Sequence, residues 1–450
     1  MELWTHRNIP AVRLLALFTA LTVAGALMAD EVTHPADPMK YTGPGSCAAP
    51  ACHGGVQPRK ETAVLQNEYS TWLLRDKHAQ AYTVLLTPVG QRMGRLLKLE
   101  TKPELAQKCL LCHALSVPQE RRAKSFDTNE GVSCESCHGP ASGWLGPHTE
   151  GKGSYERAIP LGMVDTRNLI ARAERCLGCH LGDSEKFVDH EMIAAGHPDL
   201  YFELESFSTV MPRHWKEPPD YEKVKDPWHG VKTLGTGQAV QLREALRRLA
   251  RRAQGNVWPE YGELQCFACH HSLTAAKESW RQERGYAGRR PGNVPWDESR
   301  YAVFRQLVHE LEPSSGQQLD AELGRLFGLV SSLQGDRGQI SSIATSASGI
   351  ADRLAHRIAN AKFDKKTTMQ LMLSITANAD GISSQDERAA EQAAMALDSL
   401  FVAYTRNEAL NSQAQVKAAI EGLFPEFTHP SSYDAFKFAR QLRGINALLR

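Results

Sequence analysis

Cys134–Glu150 reads CESCHGPASGWLGPHTE, and its first five residues decide what kind of chain this is. Cys134 and Cys137 stand three apart with His138 directly after, which is the C-x-x-C-H spacing of covalent haem attachment. The order follows from the chemistry. Each thiol adds to one haem vinyl group as a thioether, and the adjacent imidazole then lies under the iron as its proximal ligand.

The other eight cysteines repeat the pattern. Cys109 and Cys112 precede His113, Cys176 and Cys179 precede His180, and Cys266 and Cys269 precede His270. Cys47 and Cys52, ahead of His53, form a wider version in which the loop between the thiols has to bulge at Pro50. With 17 His in 450 residues, five pairs each followed by His would arise by chance roughly once in ten million. Disulfides are indifferent to the residue that follows, and a structural zinc usually draws its four ligands from two such knuckles. Neither explains the histidines. Five c-type haems are therefore expected, with His53, His113, His138, His180 and His270 as proximal ligands.

The N-terminus agrees with attachment outside the cytoplasm. Arg7 and Arg13 precede the apolar run LLALFTALTVAGALMA, Leu14–Ala29, the pattern of a Sec-type signal peptide over residues 1–29. That run is short for a membrane span and no other is long enough, so a periplasmic or otherwise exported chain without a span in its mature form is expected. Lys and Arg number 52 against 51 Asp and Glu. Five haems would add about −5 when oxidised and about −10 when reduced. The loaded protein should be acidic and its periplasmic redox partners basic, and nothing points to nucleic acid.

Gly and Pro crowd the segments between motifs, as in EPPDYEKVKDPWHG, which suggests loops wrapped on cofactors with few helices. A helix is expected over 61–86, which lacks both residues. Another is expected over 238–253, with Leu242, Leu246, Leu249 and Ala253 on one face and Arg243, Arg247, Arg251 and Arg252 on a solvated opposite face. The stretch RGYAGRRPGNVPW, Arg284–Trp296, reads as a boundary. Beyond it, Leu319, Leu323, Leu326, Val330 and Leu333, then Ala390, Ala394, Leu397, Phe401 and Tyr404, recur at helical spacing. Ser384 to Glu387 reads as a capping box. The fold expected is mainly α: a loop-rich multihaem cytochrome c domain over 30–296, then an all-α helical bundle over 297–450 without haem motifs. His309, His356 and His429 read there as ordinary histidines.

Function turns on what fills the second axial position of each iron. His78, His148, His190, His197, His214, His229 and His271 are the spare imidazoles of the haem region. His190 and His197 are seven apart, so a helix would put both on one face and leave either as a ligand.

The segment from about 41 to 272 resembles the cytochrome c-554 family of multihaem proteins, which shares haem packing with hydroxylamine oxidoreductase and pentahaem nitrite reductase. The resemblance is carried by Trp72 to His78-Ala79, by CESCHGP with a His about ten residues on, and by AAGHPDLYFELESF after the fourth motif. It implies that His78, His148 and His197 are distal ligands, each serving a haem other than the nearest in sequence. An electron-transfer protein is the leading expectation. The alternative is a redox enzyme acting on a nitrite- or hydroxylamine-type compound at one open haem. Pentahaem nitrite reductase commonly marks that haem with Lys in place of the proximal His, and no C-x-x-C-K occurs here.

Overall fold

Short helices separated by turns make up the first part of the chain: α1 (Glu68–Arg75), α2 (Pro88–Leu96), α3 (Gln107–His113), α4 (Cys134–His138), α5 (Ser154–Ala158), α6 (Leu169–His180), α7 (His190–Ala194) and α8 (Leu204–Val210). Mostly longer ones follow: α9 (His229–Gln254), α10 (Ser299–Leu311), α11 (Pro313–Val330), α12 (Arg337–Asn360), α13 (Lys365–Ala377), α14 (Ala379–Ser383), α15 (Glu387–Asn407), α16 (Gln413–Glu421) and α17 (Ala435–Leu449). The computed structural model describes residues 39–62, 64–216, 226–270, 294–332, 334–428 and 433–450. The signal segment, His271, Leu333 and His429 lie outside them. Among the described residues there are no strands, only isolated bridges joining Tyr41 to Arg122 and Leu264 to Trp296. The fold is mainly α, a loop-rich segment bearing the cysteine motifs followed by a helical bundle. No described helix is long and apolar enough to cross a membrane.

The continuous helix expected over 61–86 is broken. Asp76 takes an extended conformation after α1 and its carboxylate accepts from the His78 amide, which opens a 3-10 turn, Lys77–Gln80, in place of further α-helix. A capping aspartate overrides the lack of Gly and Pro because it satisfies an orphan amide directly. The same chemistry moves the expected capping box: Asp386, not Ser384, caps α15 by accepting from the Ala389 amide.

α9 starts earlier than its sequence pattern suggests and is enclosed on nearly every side from Val231 to Leu246. A helix buried all round belongs to the centre of a core. Gly235 and Gly237 permit this. A Cβ at Gly237 would fall 2.5 Å from the Leu204 Cβ on α8, and one at Gly235 would fall 2.9 Å from side chains of Ile358 on α12 and Leu307 on α10. Arg243, expected in solvent, is 2% exposed. Its guanidinium meets Glu174 on α6 at 2.5 Å, Asp352 on α12 at 2.6 Å and Glu244 at 2.8 Å. Three carboxylates offset the cost of enclosing the charge and fasten α9 to its neighbours.

One apolar core runs from Ile170 to Leu449 and includes Leu242, Leu246 and Leu249 of α9, each burial contributing about 2 kcal/mol. The core of the bundle thus begins well before residue 296, and residues 40–450 form one compact unit. Ahead of α6 the apolar clusters are small, one around Trp144 and Met163 and one around Leu85 and Cys109.

Candidate metal centres

Three motifs are wound into helices: Cys109–His113 ends α3, Cys134–His138 is the whole of α4, and Cys176–His180 ends α6. The fifth closes as a tight turn in which the His270 amide donates to the Cys266 carbonyl at 2.8 Å. In the wide first motif the His53 amide returns to the Cys47 carbonyl at 3.2 Å, so the extra residues bulge out and the closure is the same. Glu135, inside the third motif and 1% exposed, accepts from the amides of Thr42 and Gly43 at 2.9 and 2.7 Å and of Ala141 at 2.7 Å. That carboxylate ties the first motif to the third. The Cys47 thiol lies in the field of Cys134, and that of Cys112 in the field of Cys179. All ten cysteines are free of disulfides.

Four imidazole pairs assemble across these motifs. His53 faces His148 with ring centroids 6.2 Å apart, His78 faces His180 at 6.2 Å, His113 faces His197 at 6.2 Å and His190 faces His270 at 6.1 Å. The mutual tilts differ, from 16° to 89°, so stacking preference does not set the spacing. Two imidazoles bound to one metal from opposite sides, each through a bond of about 2 Å, have ring centroids about 6 Å apart.

The ring nitrogens agree. Nδ1 of His53 meets Glu68 at 2.9 Å, Nδ1 of His78 meets Asp76 at 2.9 Å, and Nδ1 of His113, His148 and His197 meets the carbonyls of Ala81, Leu145 and Pro198 at 2.8, 2.7 and 2.7 Å. With Nδ1 held by an oxygen, Nε2 carries the lone pair that a metal takes. Burial pushes His138 and His180 down to about 4, so both are neutral imidazoles at ordinary pH. Among the described residues no three His, Cys, Asp or Glu side chains cluster as a metal site of their own. Two imidazoles with four ring nitrogens of a porphyrin make six ligands, so the residues present fit haem and not a bare ion.

His78, His148 and His197 each meet the histidine of a motif other than the nearest in sequence. His190 was open as an alternative to His197, and the two do not share a helix face. α7 ends at Ala194, and Gly196 at φ 106° turns the chain so that each imidazole meets a different partner. His138 differs from the other four motif histidines, since no ring contact reaches it among the described residues. The charges acting on it are those of His214 and His53. His214, its Nδ1 held by the Pro212 carbonyl at 3.2 Å, also acts on Asp76. In the bundle, His309 is taken by Asp320 at 2.9 Å.

No curated protein and no solved structure matches the chain. Residues 47–139, which hold the first three motifs and His78, match the family described as cytochrome c554 and c-prime. Over that segment, about a fifth of the chain, the sequence is similar to that family.

Proposed function

We propose that the chain is an exported, periplasmic pentahaem cytochrome that passes electrons between redox partner proteins. The observation that carries this reading is the repeated centroid spacing near 6 Å between histidines that four separate motifs and four distant segments contribute. Each haem, when bound, supplies a one-electron iron couple. Cys47, Cys52, Cys109, Cys112, Cys134, Cys137, Cys176, Cys179, Cys266 and Cys269 anchor the cofactors, and the chain's other residues orient and tune them. Burial favours the neutral imidazole at His113, His138 and His180, and carbonyl partners fix the rings of His113, His148 and His197. Glu68 and Asp76 do more, because a carboxylate on Nδ1 raises the donor strength of His53 and His78. The paired thiols support close packing of the first haem with the third and of the second with the fourth. Residues 1–29 act as the export signal, and the propionates of the loaded protein favour basic partners. Intact mass of the exported chain should exceed the processed polypeptide by five haem masses. An excess of four would remove the Cys47/Cys52 site, and no excess would end the reading.

One observation favours a second reading, a redox enzyme with one reactive iron. Among the described residues His138 has no imidazole across from it at the spacing of the other four. On that reading the reduced protein binds CO at one iron per chain and turns over nitrite or hydroxylamine. Absence of CO binding would show that iron closed by a second ligand, for which His214 is the candidate, and leave the carrier.

A further inference from the structure

The enclosed surroundings of the fifth motif are polar. A cavity of about 20 Å³ opens there, lined by Arg248, Arg252, Arg300 and Arg388 together with Asp199 and Asp297. It has room for one small group and no more. The lining includes Leu181, directly after the fourth motif, and Gly262, just ahead of Cys266. Cys266 itself lies in the field of Arg388, Asp199, Asp386 and Asp297.

The charges around the cavity do not cancel pair by pair. Glu263 takes Arg248 and Arg252 at 2.8 and 2.5 Å. Arg388 takes both Asp199 and Asp297, the latter at 2.9 Å. Arg300 is left over. It is 9% exposed, and its one hydrogen bond runs from Nη2 to the Leu200 carbonyl at 2.6 Å. Three more acids stand close by on and before α15. Burial lifts Asp386 to about 8 and Glu387 and Glu391 to about 7; of these Glu391 lies in the field of Arg300, which otherwise shares Asp297 and Asp199 with Arg388. An enclosed guanidinium without a carboxylate of its own is costly, and its planar fork suits a two-oxygen anion.

We propose that this cavity is a carboxylate site filled by a propionate of the haem on Cys266 and Cys269, with Arg300 as its positioning residue. The assignment rests on the pentahaem reading above. It makes the helical bundle part of a haem pocket, since Arg300 opens α10 and Arg388 opens α15. A free oxyanion shares the same chemistry, and the test separates the two.

The experiment uses the full exported holoprotein, with Arg300→Gln and Arg300→Lys beside the parent, in chloride and in inorganic phosphate at matched ionic strength. Intact mass comes first: five haems in each protein show that the motif reading stands independently. Redox titration of Arg300→Gln should then lower the reduction equilibrium of one haem by about tenfold, or about 59 mV for one electron, because the lost cation no longer favours the reduced state. Arg300→Lys keeps the charge and loses the fork, so it should leave that potential near the parent's while moving the propionate bending band in the resonance Raman spectrum. An unmoved band in either five-haem variant would overturn the proposal. A parent potential that shifts with phosphate, and stops shifting in Arg300→Gln, would overturn the propionate in favour of a free oxyanion.

Discussion

Asp76 does two things with one carboxylate: Oδ1 accepts from the His78 amide at 3.0 Å and meets Nδ1 of the same residue at 2.9 Å. The first ends the α-helix, and the second aims the imidazole at His180. Asparagine in its place offers the same oxygen without the charge, so Asp76→Asn should keep the turn and weaken His78 as a donor. The midpoint potential of the haem on Cys176 and Cys179 is expected to rise, by roughly a tenfold change in its reduction equilibrium or less, with haem content unchanged. A redox titration in which no potential moves would reduce Asp76 to a cap. The proposed proximal set comes from the sequence alone, because thioether chemistry demands cysteines and histidine within a few residues. The partners do not, because the second ligand arrives from elsewhere in the chain. Family resemblance reached His78, His148 and His197, whereas the partner of His270 depended on a single turn at Gly196.

Among the helices, α9 shows where periodicity misleads. Leu242, Leu246 and Leu249 announced a stripe, and the arginines between them looked like its wet side. Part of the wet side is buried too, because carboxylates from α6 and α12 meet Arg243 while Arg251 stays exposed, and no window of one helix contains that information. The glycines of α9 are harder still to read, since helix propensity counts against them. Gly237→Ala should nevertheless destabilise the fold by about 1–3 kcal/mol, because a Leu204 Cβ fixed to its backbone cannot rotate away. Gly444→Ala, in α17 with nothing within 4 Å of a new Cβ, should instead stabilise by about 0.5–1 kcal/mol. Chemical denaturation of both variants checks the pair, and equal signs would refute the close approach of α8 and α9.

For the molecule as a whole, a boundary between a motif-bearing part and a helical part was expected where cysteine stops, and the α content was legible from the spacing after residue 300. What could not be read is that the two share a core. Ile170, Leu177 and Leu181 around the fourth motif lie in the same apolar cluster as Phe438 and Leu449 near the C-terminus.

The nearness of Cys47 to Cys134, and of Cys112 to Cys179, bears on how such a chain is made. Both pairs bring together thiols of different attachment sites, and both exist only once the backbone has closed. In an oxidising compartment, a chain that closed before loading would stand one oxidation away from cross-linking first to third and second to fourth, and each bond would disable two sites at once. On the pentahaem reading ligation would then have to overtake folding, and a core built from segments far apart in the chain, which is slow to close, gives it the time.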